Sequence, residues 1–356
     1  MKATVRALAD TDLQDLDKLR TIVHSHRPEA FDAEWNGSIW RWLGTHPLAG
    51  ELHRWVVVTS EGEVVGHLAA TPQYYRIGGK RVVAHTPADY QVRAPYGFYA
   101  ISLMRQFFRA VENYVSCDSA PEVIAVETRL GAEEAGQLEF APKVWNVAGL
   151  PGFPAAIPSP IPQLLNLGLR AVDGAIGATV HGNTWKVVRL EEFDASFDEL
   201  FESIAAAMPC VVEKDAAFLR WRYGAYSPQS SSILLGVKEE DRLLGYAVLW
   251  VTSDGDDGYL LDLTTRPGHH EVARSLLLEA VQVFRRARVH SIRYRFIPSP
   301  TTPLAKDLWR LGFLLGTNRR STLLVKFADQ TLQQLALRTT HWSYGFGDGQ
   351  ATFWIK

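Results

Sequence analysis

The stretch PLAKDLWRLGF, Pro303–Phe313, is the most informative segment of the sequence. It predicts a short helix, because Leu304, Leu308 and Leu311 recur at helical spacing and therefore share one face. Gly312 follows directly and can adopt the left-handed conformation with which many helices end. A strand-like apolar run lies on each side of the segment, so it belongs to an alternating order of strands and helices.

The same alternation extends through the whole second half of the chain. The predicted elements are strand Trp185–Leu190, helices Phe197–Met208 and Ala216–Tyr223, strands Ile233–Val237, Leu243–Val251 and Tyr259–Leu263, the long helix Glu271–Arg288, strand Ile292–Ile297, helix Pro303–Leu311 and strand Ser321–Phe327.

The first half shows a similar order. The predicted elements are strand Thr4–Leu8, helix Asp12–His26, a second helix through Phe31–Trp42, strands Trp55–Thr59, Val64–Thr71 and Val82–Val92, the long helix Tyr99–Val115, and strands Val123–Thr128 and Val144–Val147. A proline-rich stretch then precedes a helix-like segment, Leu164–Val172, which we interpret as a connector.

Matching positions in the two halves predict a tandem repeat. The matches are Trp40-Arg41-Trp42 with Trp221-Arg222-Tyr223, Pro47 with Pro228, Gly66 with Gly245, and Asp89 with Asp262. Because four matches occur in one order, chance is a poor explanation. We therefore predict an α/β (α+β) chain of two fused units, each a mixed, mostly antiparallel sheet flanked by helices. The predicted domains are residues 1–150 and 183–356, joined by the connector 151–182.

Composition limits the function classes. The chain has 356 residues, of which 47% are hydrophobic and 21% charged, as expected for folded globular domains. A net charge of −2 provides no field that would recruit nucleic acid. The two cysteines lie far apart, which suits a reducing compartment. No apolar run resembles a signal peptide or a membrane span. These features predict a cytoplasmic protein.

The order of elements resembles the GNAT superfamily of acyltransferases over nearly the whole chain. The segment PLAKDLWRLGF is similar to the family's fourth helix, and DAAFLRWRY, Asp215–Tyr223, resembles second-helix sequences of tandem members. The resemblance implies an acyl-CoA-dependent N-acyltransferase, with acetyl-CoA or another acyl-CoA as co-substrate. The implied acceptor is an amine of a small molecule or peptide.

The resemblance also implies a loop that binds the CoA pyrophosphate at the start of each long helix. Both loops depart from the family's glycine-rich pattern. The second would place the Glu271 carboxylate beside the phosphates, which is unfavourable. We therefore favour the first loop, and the predicted cofactor-binding residues are Val92, Arg93, Gly97, Phe98, Tyr99 and Ala100.

Amine acylation needs a group that accepts a proton. By the resemblance, Asp89 and Asp262 are strand carboxylates at the position of the family's base. His85 titrates near neutral pH, and Glu127, predicted to lie on a strand after the long helix, could face the substrate. For each residue, a purely structural role is the alternative. Trp309 stands where the family places a tyrosine acid, and an indole cannot supply that proton.

The remaining motifs do not indicate a metal site. His24-Ser25-His26 and His269-His270-Glu271 have spacings that place their side chains on different faces of a helix, so we predict no metal. We interpret Gly345–Gly349 as a bent C-terminal segment.

Two other functions stay open. Degenerate CoA loops also fit a transferase that uses an aminoacyl or acyl carrier, as in Fem-like tandem proteins. They equally fit a GNAT-like binding protein without catalytic activity. The acceptor, the acyl length and the oligomeric state are not determined by the sequence.

Overall fold

A computed structural model describes residues 2–25, 28–117, 119–147, 160–179 and 184–356. In the first half the elements are β1 (Ala3–Ala7), α1 (Leu13–Val23), α2 (Ala33–Leu43), β2 (His53–Thr59), β3 (Val64–Ile77), β4 (Lys80–Val92), α3 (Tyr99–Ala110), β5 (Tyr114–Ser116), α4 (Pro121–Arg129), β6 (Glu133–Val144) and α5 (Ile161–Thr179).

In the second half the elements are β7 (Val188–Leu190), α6 (Ser196–Ala207), β8 (Cys210–Val212), α7 (Ala216–Tyr223), β9 (Ile233–Glu239), β10 (Arg242–Val251), β11 (Asp257–Thr265), α8 (His270–Ala287), β12 (Ser291–Phe296), α9 (Ala305–Arg310), β13 (Gly316–Lys326), α10 (Gln330–Ala336) and β14 (Trp342–Ser343). Short 3₁₀ turns, including Phe346–Asp348 and Gln350–Trp354, complete the chain.

All of these strands belong to one mixed sheet. Its main path runs β1-β2-β3-β4-β5-β13-β6-β12-β11-β10-β9-β7 among the described residues. Most neighbouring pairs are antiparallel, while β4 with β5, β11 with β12 and, off the main path, β8 with β14 are parallel. The predicted α/β class with a mixed, mostly antiparallel sheet is therefore confirmed.

The two halves exchange their last strands within this sheet. β6 from the first half pairs with β12 of the second, and β13 from the second half pairs with both β5 and β6. The sheet is therefore continuous across the centre of the molecule. The predicted domain boundaries, near residues 150 and 183, lie outside the described residues.

Helices from both halves meet on one side of the sheet. α2 and α7 each begin with an aspartate, Asp32 or Asp215, whose side chain accepts a hydrogen bond from a backbone N–H in the first turn. The rings of Trp42 and Trp221 stack with centroids 4.3 Å apart. Each indole N–H donates to the backbone carbonyl of the other residue, at 2.8 and 3.3 Å. These contacts join the halves away from the shared strands.

Three predicted elements were wrong. The strand predicted at Val144–Val147 is instead the end of β6, which runs from Glu133 to Val144 because it pairs with β12 and β13. Residues 123–128 form helix α4 rather than a strand, because Pro121 and Glu122 supply favourable first-turn residues and β5 already fills the strand position. The long helix α3 ends at Ala110, since residues 114–116 pair with β13 as β5. Helix α5 extends beyond the predicted connector helix at both ends.

Among the residues that the structure describes, no helix combines the length and apolar character needed to cross a membrane.

Candidate active site

A cleft opens where β4 and β5 diverge. The two strands pair in parallel at His85 and Tyr114, beyond which they separate around a cavity of about 220 Å³. One wall is Pro87–Tyr90 of β4, and the opposite wall contains Cys117, Ser119, Ala120 and Val123. The C-terminal residues Gln350, Ala351 and Trp354 close a third side.

An irregularity at Asp89 shapes the β4 wall. The register with β3 shifts between His67 and Ala69, and Asp89 has a positive φ of 49°. An aspartate tolerates this conformation better than most residues, but it still needs support from its surroundings. That support is a buried ion pair with Arg20 at 2.5 Å, together with contacts from His67 at 3.1 Å and Gln91 at 3.1 Å.

These partners argue against the predicted role of Asp89 as a base. Burial raises the pKa of its carboxyl, but the charge of Arg20 and the contact with His67 outweigh this effect and lower the pKa. The carboxylate is committed to holding the bulge. Asp89 therefore shapes the wall of the cleft, and its role as a base stays a prediction.

Glu127 lies just behind the opposite wall. It is carried by α4, not by the predicted strand, and its side chain is fully buried. Ser119 Oγ donates a hydrogen bond to Oε1 at 3.4 Å, while Oε2 has no partner among the described residues. Burial raises the pKa of the carboxyl to about 7, against the opposing effect of the nearby Tyr114 and Ser119 hydroxyls. A carboxyl with this pKa can exchange protons at neutral pH.

Ser119 and Tyr90 connect Glu127 with the cleft. Ser119 lines the cavity and also lies 3.3 Å from Ser116 through its hydroxyl. Tyr90 lies on the β4 wall, where burial and then the charge of Glu127 raise its pKa far above neutral. Tyr90 is therefore a protonated hydroxyl facing the same cavity region, and it can donate a proton or a hydrogen bond.

His85 does not line this cavity. Its Nε2 lies 3.1 Å from the Glu51 carbonyl, and its Nδ1 is buried without a partner among the described residues. Burial lowers the pKa of the ring, so the imidazole is neutral at pH 7. Of the three predicted catalytic residues, the structure brings Asp89 and Glu127 to the cleft and leaves His85 outside.

The predicted cofactor loop leads from β4 to α3. Arg93 pairs with Glu63 at 2.5 Å on the surface, and Tyr99 Oη exchanges two 2.7 Å hydrogen bonds with the backbone of Ala3. Phe98, the N-cap of α3, is 60% exposed and makes no side-chain cap. The first N–H groups of a helix without a capping side chain are suited to an anion.

Space near this helix start is open. A β-carbon at Gly97 would meet only the Ala94 carbonyl, at 3.4 Å, which is an ordinary contact. Val92 ends β4 opposite Gly66, and Ala100 donates its N–H to the Gly97 carbonyl at 3.1 Å. The loop therefore leaves room for a ligand beside Gly97.

The equivalent cleft of the second half is filled by the chain itself. β11 and β12 pair from Asp257 and Ser291 onward, and beyond them Gly345 forms a bridge with Phe296. The Ile297 N–H donates to the Tyr344 carbonyl at 2.8 Å. The predicted bent segment at residues 345–349 thus lies between the two strands, where the first half has its cavity.

A buried charge cluster secures this segment. Lys214 Nζ contacts the carboxylate of Asp262 at 3.1 Å and that of Asp348 at 3.2 Å. Tyr246 and Thr264 also donate to Asp262, at 2.8 and 2.7 Å. Asp262, the second predicted strand carboxylate, is thus fully used in holding the C-terminal segment.

Backbone carbonyls also occupy two donors in the segment that leads from β11 into α8. The N–H groups of Thr265 and Gly268 donate to the carbonyls of Thr301 and Pro300, at 3.0 and 2.8 Å. The loop 298–302 therefore contacts the segment that leads into α8. The structure therefore favours the first cleft as a ligand site.

Comparisons with known proteins agree with this architecture. No protein-family model matches the sequence, and no protein of curated function matches it either. Solved structures do match. A GCN5-related N-acetyltransferase from Anabaena variabilis aligns with a TM-score of 0.59 and 14% identity, over 93% of this chain and 74% of that one. The fold is that of the GNAT superfamily.

Two further solved structures share this fold at low sequence identity. A probable N-acyltransferase from Enterococcus faecalis aligns with a TM-score of 0.55 and 10% identity, over 93% of this chain and 74% of that one. The N-myristoyltransferase of Saccharomyces cerevisiae with bound myristoyl-CoA aligns with a TM-score of 0.57 and 11% identity, over 91% and 78%. The predicted GNAT-like architecture is thereby confirmed.

Sequence reasoning missed several residues of the cleft in this GNAT fold. Tyr90, Ser119, Gln350 and Trp354 all line it. Tyr90 directly follows Asp89 on β4, so its position in the sequence could have indicated that it lies near the cleft. The two C-terminal residues carry no local signal, because they reach the cleft only through the tertiary structure.

Proposed function

We propose that this chain is an acyl-CoA-dependent N-acyltransferase that acts on an amine of a small molecule or a peptide. The observation that carries the proposal is the contrast between the clefts: the first is open between β4 and the segment that follows β5, while the second is filled by residues 344–348. The proposal therefore assigns one acyl-CoA to each chain, at the first cleft.

The start of α3 supports a site for the CoA phosphates. Gly97 lets the ligand approach the backbone, and the first-turn N–H groups other than that of Ala100, which donates to the Gly97 carbonyl, would serve as donors. Within the described part of the chain, the ion pair of Arg93 is with Glu63 at the surface. Such pairs are weak, so Arg93 can exchange this partner for a phosphate at little cost.

The cleft supports the chemistry of acyl transfer. The amine nitrogen would attack the thioester carbonyl, forming a C–N bond and breaking the C–S bond. In this proposal the amine proton passes through Ser119 to Glu127, whose pKa of about 7 suits a base at neutral pH. Tyr90 donates a hydrogen bond to the departing CoA thiolate, which leaves as the thiolate or takes a proton from solvent, and Glu127 then releases the amine proton to solvent. Glu127 thus acts through Ser119, as a proton acceptor behind the wall.

The proposal is tested by calorimetric titration with acetyl-CoA and with a long-chain acyl-CoA. Gly97→Glu places a carboxylate beside the phosphates without a steric clash, and should weaken binding at least tenfold. Gly316→Glu is the matched control, because Gly316 is also open and has no positive φ. His269→Glu places the same charge at the start of α8 and should leave affinity unchanged.

Each other outcome has a clear meaning. Loss of binding only in His269→Glu would move the donor to the second cleft and refute the assignment. No binding of either acyl-CoA to the wild type would refute the acyl-CoA proposal. Titration with an aminoacyl-tRNA then separates a carrier-dependent transferase from a protein that binds no activated donor.

A further inference from the structure

A cluster of metal-ligand side chains lies outside the cleft. Glu51, His53 and His85 each bring one ligand atom within 4.8 Å of the others. Glu51 ends the 3₁₀ turn before β2, His53 begins β2, and His85 comes from β4. No local pattern indicates this cluster, because His85 lies far along the chain from the other two residues and joins them only through the sheet.

His85 is the fixed member of the cluster. Its side chain is only 5% exposed, and Nδ1 has no partner among the described residues. Nε2 faces the Glu51 carbonyl at 3.1 Å, which favours the tautomer that carries its proton on Nε2. The lone pair on Nδ1 is therefore not used by any hydrogen bond. A backbone carbonyl that orients one imidazole nitrogen while the other binds is a common arrangement at metal sites.

The other two members can adjust their positions. Glu51 is exposed and His53 is partly exposed, so both side chains can rotate. The rings of His53 and His85 lie nearly parallel, with centroids 6.0 Å apart. Tetrahedral coordination with bonds of about 2.0–2.1 Å needs ligand atoms about 3.4 Å apart. The ligand atoms now lie 4.8 Å or less from one another, so rotation of the Glu51 and His53 side chains is enough to bring them to this spacing.

We propose that Glu51, His53 and His85 form a binding site for a late first-row divalent cation such as Zn²⁺, with water as the fourth ligand. Two imidazoles and one carboxylate match the ligand preference of this class of cation. Mg²⁺ and Ca²⁺ prefer sites made only of oxygen ligands, so they should bind poorly.

The bound cation would link β2 to β4. β4 also carries Pro87–Tyr90, the wall of the cleft. The site therefore stabilises the strand on which the cleft depends, while His85 itself does not line the cavity. This role does not depend on which acyl donor or acceptor the protein uses.

The site is tested on the full chain with Co²⁺ as a spectroscopic probe and with Zn²⁺ in competition against a chromogenic chelator. The wild type should bind one Co²⁺ with the intense visible bands of tetrahedral coordination, and Zn²⁺ should displace it. Glu51→Gln, His53→Asn and His85→Asn should each weaken binding at least tenfold. His290→Asn is the control, because His290 faces a single carboxylate, Asp256, outside the cluster.

Two results would overturn the proposal. One is weak Co²⁺ binding without tetrahedral bands, unchanged in Glu51→Gln and His53→Asn, which alter only accessible side chains. The other is binding that is lost in His290→Asn and kept in the cluster variants. If His85→Asn fails to fold, the two surface variants decide the question without it. Zn²⁺ should also raise the Tm of the wild type and not that of His53→Asn.

Discussion

Replacement of Glu127 by glutamine should change how the stability of this protein depends on pH. The carboxyl is fully buried, and its pKa rises from 4.5 to about 7 on folding. One pKa unit corresponds to about 1.4 kcal/mol, so ionising Glu127 in the folded state costs about 3 kcal/mol. Glutamine has a similar shape and does not titrate, so the variant avoids this cost.

The sign of the effect follows from proton binding. Below pH 4.5 the carboxyl is protonated in both the folded and the unfolded chain, and it imposes no cost. Between pH 4.5 and about 7 the unfolded chain loses this proton first, so the stability of the wild type falls as pH rises. Above about pH 7 both states are ionised and the cost is constant.

The assay is urea unfolding of wild type and Glu127→Gln between pH 5 and pH 8. The free energy of unfolding of the variant, relative to that of the wild type, should increase by about 2–3 kcal/mol over this range. Glu122→Gln is the matched control, because Glu122 lies on the same helix and is exposed. Its difference from the wild type should vary by less than about 0.5 kcal/mol.

Parallel stability curves for wild type and Glu127→Gln would refute this reasoning, because they would show that Glu127 has an ordinary pKa. An acyl-transfer assay adds an independent readout. If Glu127 accepts the amine proton, the rise of kcat/KM near pH 7 should disappear in the glutamine variant. If the stability effect is present and the rate profile is unchanged, Glu127 is a buried carboxyl without a role in proton transfer.

Two further changes test the filled second cleft. Gly347→Ala should lower the free energy of unfolding by about 2 kcal/mol or more, because its β-carbon would lie 2.2 Å from a tyrosine hydroxyl and 2.6 Å from a backbone carbonyl. Gly345→Ala, where the nearest atom is 3.9 Å away, should cost far less in the same urea assay, and equal losses would contradict the packing. Lys214→Met should cost about 3–5 kcal/mol at pH 8, because it leaves two buried carboxylates without a cation. Calorimetry at pH 5 should show a smaller loss, since burial already raises the pKa of Asp348 and a proton there relieves the repulsion.

Local patterns predicted most of the elements. The second half, from Ile233 to Lys326, has the predicted elements in the predicted order, because each has a clear period and a turn at each end. The errors fell at β5, α4 and β6. Strand β6 has no continuous apolar run to mark it, and the short apolar runs at β5 and α4 suit a helix or a strand equally well. Pairing with β13, a strand from the other end of the chain, decides between them.

Candidate residues were harder to assign than elements. Asp89 and Asp262 occupy similar positions on their strands, and both resembled a catalytic base. Their partners, Arg20 and Lys214, lie 69 and 48 residues away. The sequence around a carboxylate does not show whether a distant cation will neutralise it, so proximity in the fold determines its chemistry.

The sequence by itself determined the alternating α/β order and the resemblance to the GNAT fold. Both depend on the spacing of hydrophobic residues and on residues that end helices, which are local features of a few neighbouring positions. Only the tertiary structure decided which cleft is open. That outcome depends on residues 344–354, which fill the second cleft and close one side of the first. Their position results from contacts across most of the chain, such as Thr71 with Gln350, and no local pattern encodes such contacts.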